Sequence, residues 1–541
     1  IKEVRKMVLQ IARKDFLNNL LSARFIIGFI LCLVLIPFSI LLNINDYRDQ
    51  ANQYRLDRAA ADKDIKEVRV YSGLRPEIII PPEPLSIFSK GITGQVGNRV
   101  GIRLGEKPML AEGKIAARDN PFLASFFSVD FVQIAAIIFS LLALLFSYDV
   151  FTREKEDGTL RLQMSNSLGR SQFLAGKVLG ILVTLLPVLV LCYLLSAVLI
   201  LFSKDLSFSE LEWGRIGLLF AVSLLYLAVF IFVGLFLSAR SKTSVTSLVL
   251  CLFLWVFFVF IVPNLSAYFA ESFVRVQSRE NLDRVLEDLD KEFARAKRDR
   301  FKAQSISESY NAWWHSSGDD GYVETYGNSR AEFEAERRRS MVSEPLRIDY
   351  ADKKWAYQEA YLESLAHQAR VAEGLSAISP AGAFRILAAA VCSTDMRSHE
   401  NEMDRIRQYR EAFIRYLQSK NIFAAFRYIT PAPPETFLTE DQLIEKRTGG
   451  EFKSVQALEA WAAQQKDARA PWLKLSKNKI PGDEPSDFPF LDVSDMPGFQ
   501  ERTKSFFSGM ENSILTIALL LIESILLFYI GYVAFIRYDV R

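Results

Sequence analysis

The sequence has few of the residues that build redox and metal sites. Its 541 residues include four cysteines and three histidines. The cysteines show neither a disulfide pattern nor the spacing of metal ligands, and no histidine belongs to an HExxH motif. The cysteines are Cys32, Cys192, Cys251 and Cys392; the densest polar group is His315 with Asp319 and Asp320. That group is better interpreted as a turn between helices than as a metal site, so the sequence predicts no catalytic residue, no metal and no cofactor in this chain.

An excess of one charge is also missing. Lysine and arginine total 65 against 63 aspartate and glutamate residues, which gives a formal net charge of +2. Because positive and negative charges are so nearly equal in number, the composition gives no support to a general affinity for nucleic acid. No cleavable signal peptide is visible, because the first apolar run follows a basic lead-in without a small-residue cleavage site.

A phosphate-binding loop is absent as well, although "GRSQFLAGKV" suggests one at first glance. In a P-loop a glycine lies five positions before the glycine that precedes lysine, and Ser or Thr follows the lysine. Here Gly169 lies seven positions before Gly176, and Lys177 is followed by Val178. The sequence therefore predicts that this chain does not itself bind a nucleotide.

What the sequence does have is six apolar runs, each near the roughly twenty residues that cross a bilayer. They are residues 25–44, 131–148, 173–202, 216–237, 245–263 and 513–536. A large soluble helical core is the alternative, but stretches such as "LLPVLVLCYLLSAVLILF" offer no polar face to water. The fold class predicted is a mainly α polytopic membrane protein.

Basic residues near the ends of the runs predict the orientation. They cluster in the lead-in (1–24), in the segment 149–172, in the turn after the fourth run and at the C-terminal tail, all on one side of a six-span chain. Both termini are therefore predicted to be cytoplasmic, in a bacterial inner membrane. The lead-in has an apolar stripe between basic residues and is predicted to be a helix in the membrane interface; a continuation of the first span is the alternative.

Two polar segments then lie outside the membrane, at 45–130 and 264–512. The first is interpreted as a small strand-containing or irregular element. The second is predicted to be mostly helical, with stripes at helical spacing that indicate helix packing or, alternatively, a groove for an apolar ligand or a partner's helix. The stripes are Leu282/Val285/Leu289/Phe293, Tyr350/Tyr357/Tyr361/Leu365/Leu375 and Ile406/Tyr409/Phe413/Leu417.

One charged residue falls inside a span. Glu523 lies near the middle of the sixth run, where an unpaired charge costs several kcal/mol. Two interpretations remain open: the residue joins neighbouring helices through hydrogen bonds, or it faces an inter-subunit or translocation surface.

The stretch "FTREKEDGTLRLQMSNSLGRSQFLAGKVLG" resembles the connection between the second and third helices of ABC-2 type ABC-transporter permeases. The matching residues are Glu154, Glu156, Gly158, Thr159, Leu160, Ser165, Arg170, Gly176 and Lys177. "RPEIIIPPEPLSIFSKG" and "ISPAGAFRILAAAVCSTDMRSHENEMDRIRQYREAFIRYL" resemble a subgroup with large extracytoplasmic insertions of uncharacterised function.

The resemblance implies that residues 149–172 form a coupling segment. Its short helix, about Glu156–Ser165, would contact a separate ABC ATPase subunit that holds ATP and Mg. Polar residues such as Arg161 would make the contact, and Leu160, Leu162 and Met164 would anchor it. The resemblance also implies a second permease subunit, identical or paralogous.

Two functions stay open after this step. One is the membrane subunit of an ATP-driven exporter, in which the outer domain handles the substrate or a periplasmic partner. The other is mechanotransmission, in which ATP-driven motion works on an envelope partner and nothing crosses the membrane. A membrane-embedded enzyme is disfavoured because no catalytic constellation is present.

Overall fold

The computed structural model describes most of the chain. The described residues are 2–93, 96–110, 130–160, 169–203, 206–307, 316–317, 322–467, 469–476, 478–500, 505–506 and 513–537. The structural statements below concern these residues.

Six helical segments are long and apolar enough to span a membrane, which confirms the predicted six-span helical protein. The helices that form them are α2 (Ala23–Lys66), α3 (Phe131–Ser147), α5 (Arg170–Phe202), α6 (Glu210–Arg240), α7 (Ser244–Val256) continuing into α8 (Val262–Phe273), and α16 (Ile514–Ile536). A π-helical turn, Phe257–Ile261, joins α7 to α8. Pro37 and Pro187 lie inside α2 and α5, as membrane helices tolerate.

The bundle core lies around α3 and α6. Of the 18 most apolar consecutive residues in each span, 72% are buried in the span that contains α3 and 56% in α6. The corresponding share is only 17% in the fifth and sixth spans. The outer faces of α2, α7 and α16 expose leucine, isoleucine and phenylalanine, as helices in contact with lipid do.

The lead-in forms a separate helix, α1 (Lys2–Leu20), and not a continuation of the first span. The Ser22 side chain accepts a hydrogen bond from the Phe25 backbone N–H at 3.2 Å, so it caps a new helix. Helix α1 packs along α5, while Leu9, Leu17 and Leu21 stay exposed. This exposed apolar face supports the interfacial position, which remains a prediction.

The first span is longer than its apolar run predicts. Helix α2 continues to Lys66 through a charged stretch, because good helix formers such as Ala59–Ala61 and their charged neighbours need no apolar environment. Beyond it, the first polar segment contains the antiparallel pair β1 (Glu77–Ile79) and β2 (Arg99–Gly101).

The second polar segment, called the distal domain (264–512) below, is mostly helical where described. Its helices are the end of α8, α9 (Arg279–Ala303), α10 (Arg330–Ser376), α11 (Pro380–Val391), α12 (Met396–Ser419), α13 (Glu440–Arg447), α14 (Val455–Ala462) and α15 (Ala470–Leu475). Strands β3 (Ser316–Ser317) and β4 (Val323–Glu324) form a second small pair. The predicted stripes lie on α9, α10 and α12; Ile406, Phe413 and Leu417 of α12 are buried against strand residues of the first polar segment.

Helix α11 inserts into the membrane bundle. It packs against α3, α6, α16 and the π-helical turn. Phe384 is fully buried, and its ring stacks on that of Tyr226 in α6 with centroids 4.6 Å apart. The distal domain thus packs between the ends of the spans that lie opposite the coupling segment. We call these ends of the spans the distal end of the bundle.

Candidate functional site

The candidate site is the coupling segment, which begins where α3 ends and contains the short helix α4 (Thr152–Glu156). This helix ends where the coupling helix, about Glu156–Ser165, is predicted to begin, and most of that predicted helix lies outside the described residues. The structure describes residues 149–160 and 169–172 of this segment. Arg161, Leu162, Met164 and Ser165 lie outside the described residues, so their predicted contacts with a partner stay predictions.

Glu154 takes part in a buried ion-pair network. Lys177 Nζ lies 2.5 Å from Glu154 Oε1 and 3.2 Å from Asp15 Oδ1, and the three side chains are 8%, 13% and 18% exposed. The network joins the coupling segment, the start of α5 and the lead-in helix α1. Burial strengthens such attraction and makes an unmatched member costly.

The glycines around Lys177 explain how α1 comes so close. A Cβ on Gly176 would lie 2.8 Å from Ile11 Cβ, and one on Gly180 would lie 2.9 Å from Asp15 Cβ. Glycines four positions apart lie on one helix face, so they form the groove in which α1 crosses α5. The "GK" that resembles a phosphate loop is thus a helix crossing with a buried lysine.

Lys155 connects α4 to the C-terminal end of α6. Its Nζ donates hydrogen bonds to the carbonyl oxygens of Ser238, Ala239 and Ser241 at 3.2, 2.7 and 3.0 Å. A cation is favourable there because the last carbonyls of a helix lack intrahelical partners.

Glu156 connects α4 to the N-terminal end of α7. Its carboxylate accepts hydrogen bonds from the Ser244 backbone N–H at 2.8 Å and from Ser244 Oγ at 2.6 Å. A carboxylate is favourable at a helix N-terminus for the opposite reason. Glu154, Lys155 and Glu156 therefore tie α4 to three different spans.

The other predicted residues have distinct positions. Gly158 has a φ of +68°, the left-handed conformation that glycine adopts without strain, and an added Cβ would meet no atom within 4 Å. Thr159 is exposed, whereas Leu160 is 3% exposed and belongs to the bundle core. Arg170 donates to the carbonyl oxygen of Ile536, which caps the end of α16.

Aromatic packing joins the coupling segment to α16. The Phe151 ring stacks on Phe535 with centroids 4.4 Å apart, and Phe535 stacks on Phe173 of α5 at 5.8 Å. The Phe151 backbone N–H also donates to Ser238 Oγ at 2.9 Å. On the other side, Arg24 at the start of α2 pairs with Asp149 at 2.8 Å.

Every span therefore contacts the coupling segment or continues into it. Helix α4 itself contacts α5, α6 and α7, the preceding residues Asp149 and Phe151 contact α2 and α16, and α3 leads directly into the segment. Sequence reasoning missed Asp15, Lys155 and Phe535 as participants. Helical spacing places Asp15 one turn after Ile11, but nothing in the sequence pairs it with a lysine 162 positions away.

Glu523 is half-buried in α16, and its Oε2 is buried without a hydrogen-bond partner in the described part of the chain. Helix α16 packs mainly on α6 and α11. The structure thus does not bring Glu523 to the coupling segment, and its role remains a prediction.

A bundle of six candidate spans whose ends gather around one short connecting segment defines a polytopic helical membrane protein. The model of the ABC-2 family transporter proteins matches residues 9–540, so the chain belongs to that family. The chain is also similar to the "Probable ABC transporter permease protein NosY" of Pseudomonas aeruginosa, at 33% identity over 127 residues. That match covers 24% of this chain and 46% of the relative, so the chain spans about half the length of the curated relative it matches.

Proposed function

We propose that this chain is the permease subunit of an ABC exporter, which converts ATP hydrolysis by a separate ATPase subunit into movement of its spans. The observation that carries this proposal is the coupling segment. Helix α4 and the turn after it form an exposed polar tip. This part of the segment also contacts the ends of the spans through ion pairs, helix capping and aromatic stacking.

The exposed tip is the docking surface for the ATPase in this proposal. Arg153, Glu156, Asp157, Gly158 and Thr159 are exposed, whereas Phe151, Thr152 and Leu160 are buried in the bundle. The exposed side provides charge and hydrogen bonds to a partner, and the buried side transmits force to the spans. ATP and Mg belong to the partner ATPase.

The same proposal sets the orientation and the assembly. The coupling end and both termini face the cytoplasm of a bacterial cell, the chain lies in the inner membrane, and a second permease subunit completes the transporter. The positions of Arg240, Lys242 and Arg537 at the coupling end support this orientation.

Charge reversal at the tip, and at Arg161 as the contact that the family resemblance implies, tests the association with the ATPase. We expect Asp157→Lys, Glu156→Lys and Arg161→Glu to reduce co-purification of the ATPase subunit and the ATP turnover of the complex. Glu435→Lys, an exposed site in the distal domain, is the matched control. Unchanged co-purification and turnover in all three variants would contradict the docking surface. Because Glu156 also caps α7, the Asp157 variant separates docking from stability.

A second function is favoured by one observation, the insertion of α11 into the bundle. This wedge connects span movement directly to the large distal domain, as mechanotransmission to an envelope partner requires. ATP-dependent flux of substrate into inverted vesicles would support export. ATP turnover controlled by an envelope partner, without flux, would support mechanotransmission instead.

A further inference from the structure

A cavity of about 330 Å³ lies at the distal end of the bundle. Its walls come from the end of α10, from α11, from the start of α3 at Asp130 and from the first turns of α16. Helices α3 and α16 run from this cavity to the coupling segment at the other end. Both ends of the proposed transmission path thus share the same two helices.

The cavity walls carry charges of both signs. The cationic residues are Arg370, Arg385 and Arg397, and the acidic residues are Asp130, Glu373 and Asp395. Several of these groups are already engaged: Asp130 accepts hydrogen bonds from the backbone N–H groups of Gln133 and Lys90 at 2.9 and 3.0 Å. Asp395 accepts one from Ser398 Oγ at 2.5 Å.

Arg397 offers an unused donor. Its Nη1 is buried and finds no hydrogen-bond acceptor in the described residues. A buried charged donor without an acceptor is costly, and an anionic oxygen is the partner that a guanidinium binds best. Because Arg397 also lines the cavity, turning its guanidinium toward the open space would give this donor an anionic oxygen of a ligand as its partner.

Glu373 supplies the complementary preference. Burial and the nearby Asp395 and Glu400 together raise the pKa of its carboxyl to about 7, against the lowering effect of Arg397 and Arg370. A carboxyl held in such surroundings gains from an ammonium group, which restores its charged form. Anion and cation preferences are thus both present in one cavity wall.

The rest of the wall mixes serine and threonine with apolar side chains, and its apolar part continues to the outer surface of the bundle. Ile386 and Leu519 line the cavity, and Ile378 and Leu515 line it while remaining 60% and 77% exposed. A space of this volume holds roughly ten water-sized groups. That is enough for a small charged head, whereas an acyl chain would have to lie along the exposed apolar face of α16.

We propose that this cavity binds the head group of a zwitterionic amphiphile, with its ammonium group near Glu373, its anionic group on Arg397 and its apolar chains along α16. The proposal rests on the proposed function in naming this amphiphile as the substrate class. Substrate enters in the plane of the membrane at the distal end, and movement of α3 and α16 expels it.

Binding to the purified full chain in a maltoside detergent tests the site without ATP or an ATPase. The probe is dihexanoyl phosphatidylethanolamine, followed by calorimetry. We expect saturable binding that Arg397→Gln weakens about tenfold or more, the effect of one charged hydrogen bond. Ala389→Phe, which narrows the cavity without changing its charge, is expected to abolish binding.

Controls fix the chemistry of the ligand. Arg415→Gln, an exposed arginine of α12, is expected to bind as the unmodified chain does. Dihexanoyl phosphatidylglycerol lacks the ammonium group and phosphoethanolamine lacks the chains, so both are expected to bind at least about tenfold more weakly. Equal binding of either compound, equal affinity of the Arg397 and Arg415 variants, or no saturable binding would overturn the proposal. A variant that no longer binds the ATPase would still bind the probe. Failure of the proposed ATP-driven function and failure of the proposed amphiphile site can therefore be told apart.

Discussion

At the scale of single residues, buried charges hold the coupling segment in place. Lys177 belongs to the Gly-Lys pair that resembles a phosphate-binding loop, yet its ammonium group contacts Asp15 and Glu154. Spacing alone excludes the phosphate loop, and the ion-pair network shows what the lysine does instead. Glu154 pairs with Lys177 inside the molecule, and Glu156 caps the N-terminal end of α7.

Replacement of Lys177 tests how much the ion-pair network contributes to the free energy of unfolding. We expect Lys177→Met to destabilise the protein by about 3 kcal/mol, because two largely shielded carboxylates, 13% and 18% exposed, would lose their shared cation. Glu154→Gln in addition should restore part of this loss, which a double-mutant cycle measures through thermal unfolding in detergent. Lys242→Met, an exposed lysine at the same end, is the control. Equal unfolding temperatures for the two lysine variants would contradict a structural role for the network.

Glu373 predicts a pH dependence of stability. Its folded-state pKa of about 7 lies above the ordinary value of 4.5, owing to burial and to Asp395 and Glu400, against Arg397 and Arg370. The folded protein therefore binds the proton more tightly, and its stability falls as pH rises from about 4.5 to about 7. Glu373→Gln should flatten this slope, by an amount on the order of 3 kcal/mol across the window.

The measurement is thermal unfolding as a function of pH, with Glu359→Gln as the control. Glu359 is an exposed glutamate of the same helix, α10, for which we expect no change of slope. A Glu373→Gln variant with the same slope as the unmodified chain would show that the carboxyl is ionised in the folded protein throughout this range.

At the scale of elements, the sequence predicts a helix best where one physical rule decides. The six spans follow from apolar length, and the helices of the distal domain follow from apolar stripes. The charged continuation of α2 was missed because hydropathy ends at residue 44 whereas helix propensity does not. Helix α11 was missed as part of the bundle because twelve residues are too few to span, and its burial depends on partners far away in sequence.

In the candidate site, too, some features could be predicted from the local sequence and others could not. The family resemblance locates the coupling segment and residues such as Glu154 and Gly158, because their order along the chain is local information. Their partners are set by tertiary packing: Asp15, Ser244 and Phe535 come from three other helices. Periodicity cannot reveal such pairings, since no local pattern links residues so far apart.

The crossing of α1 over α5 predicts the effect of a larger side chain. Gly180→Leu would bring a Cβ within 2.9 Å of Asp15 Cβ and is expected to displace α1 from α5. Trypsin should then cleave α1 at Arg13 and Lys14 about tenfold faster, because cleavage requires local opening of the helix. Gly217→Leu in α6 is the control, because its Cβ would meet no atom within 4 Å. Equal cleavage rates would show that α1 does not depend on this groove.

At the scale of the whole molecule, the two ends of the bundle carry different tasks. The coupling end gathers the spans around α4 through paired charges, whereas the distal end holds α11 between α3, α6 and α16 with a mixed-charge cavity beside it. Helices α3 and α16 reach both ends. Movement of the coupling segment is therefore expected to change the cavity and the position of the distal domain together.

Fixing α11 to α6 tests whether this movement is needed. The rings of Phe384 and Tyr226 stack at 4.6 Å, so a Phe384→Cys/Tyr226→Cys pair is placed for a short thiol cross-linker. We expect the cross-linked protein to retain the ATPase subunit but to lose ATP-driven flux or control of its partner, with recovery after cleavage of the linker. A Phe293→Cys/Tyr350→Cys pair, where the rings lie 5.5 Å apart within the distal domain, should leave activity unchanged. Full activity of the cross-linked Phe384/Tyr226 pair would mean that α11 and α6 move as one body, and that force reaches the distal domain through α3 or α16 alone.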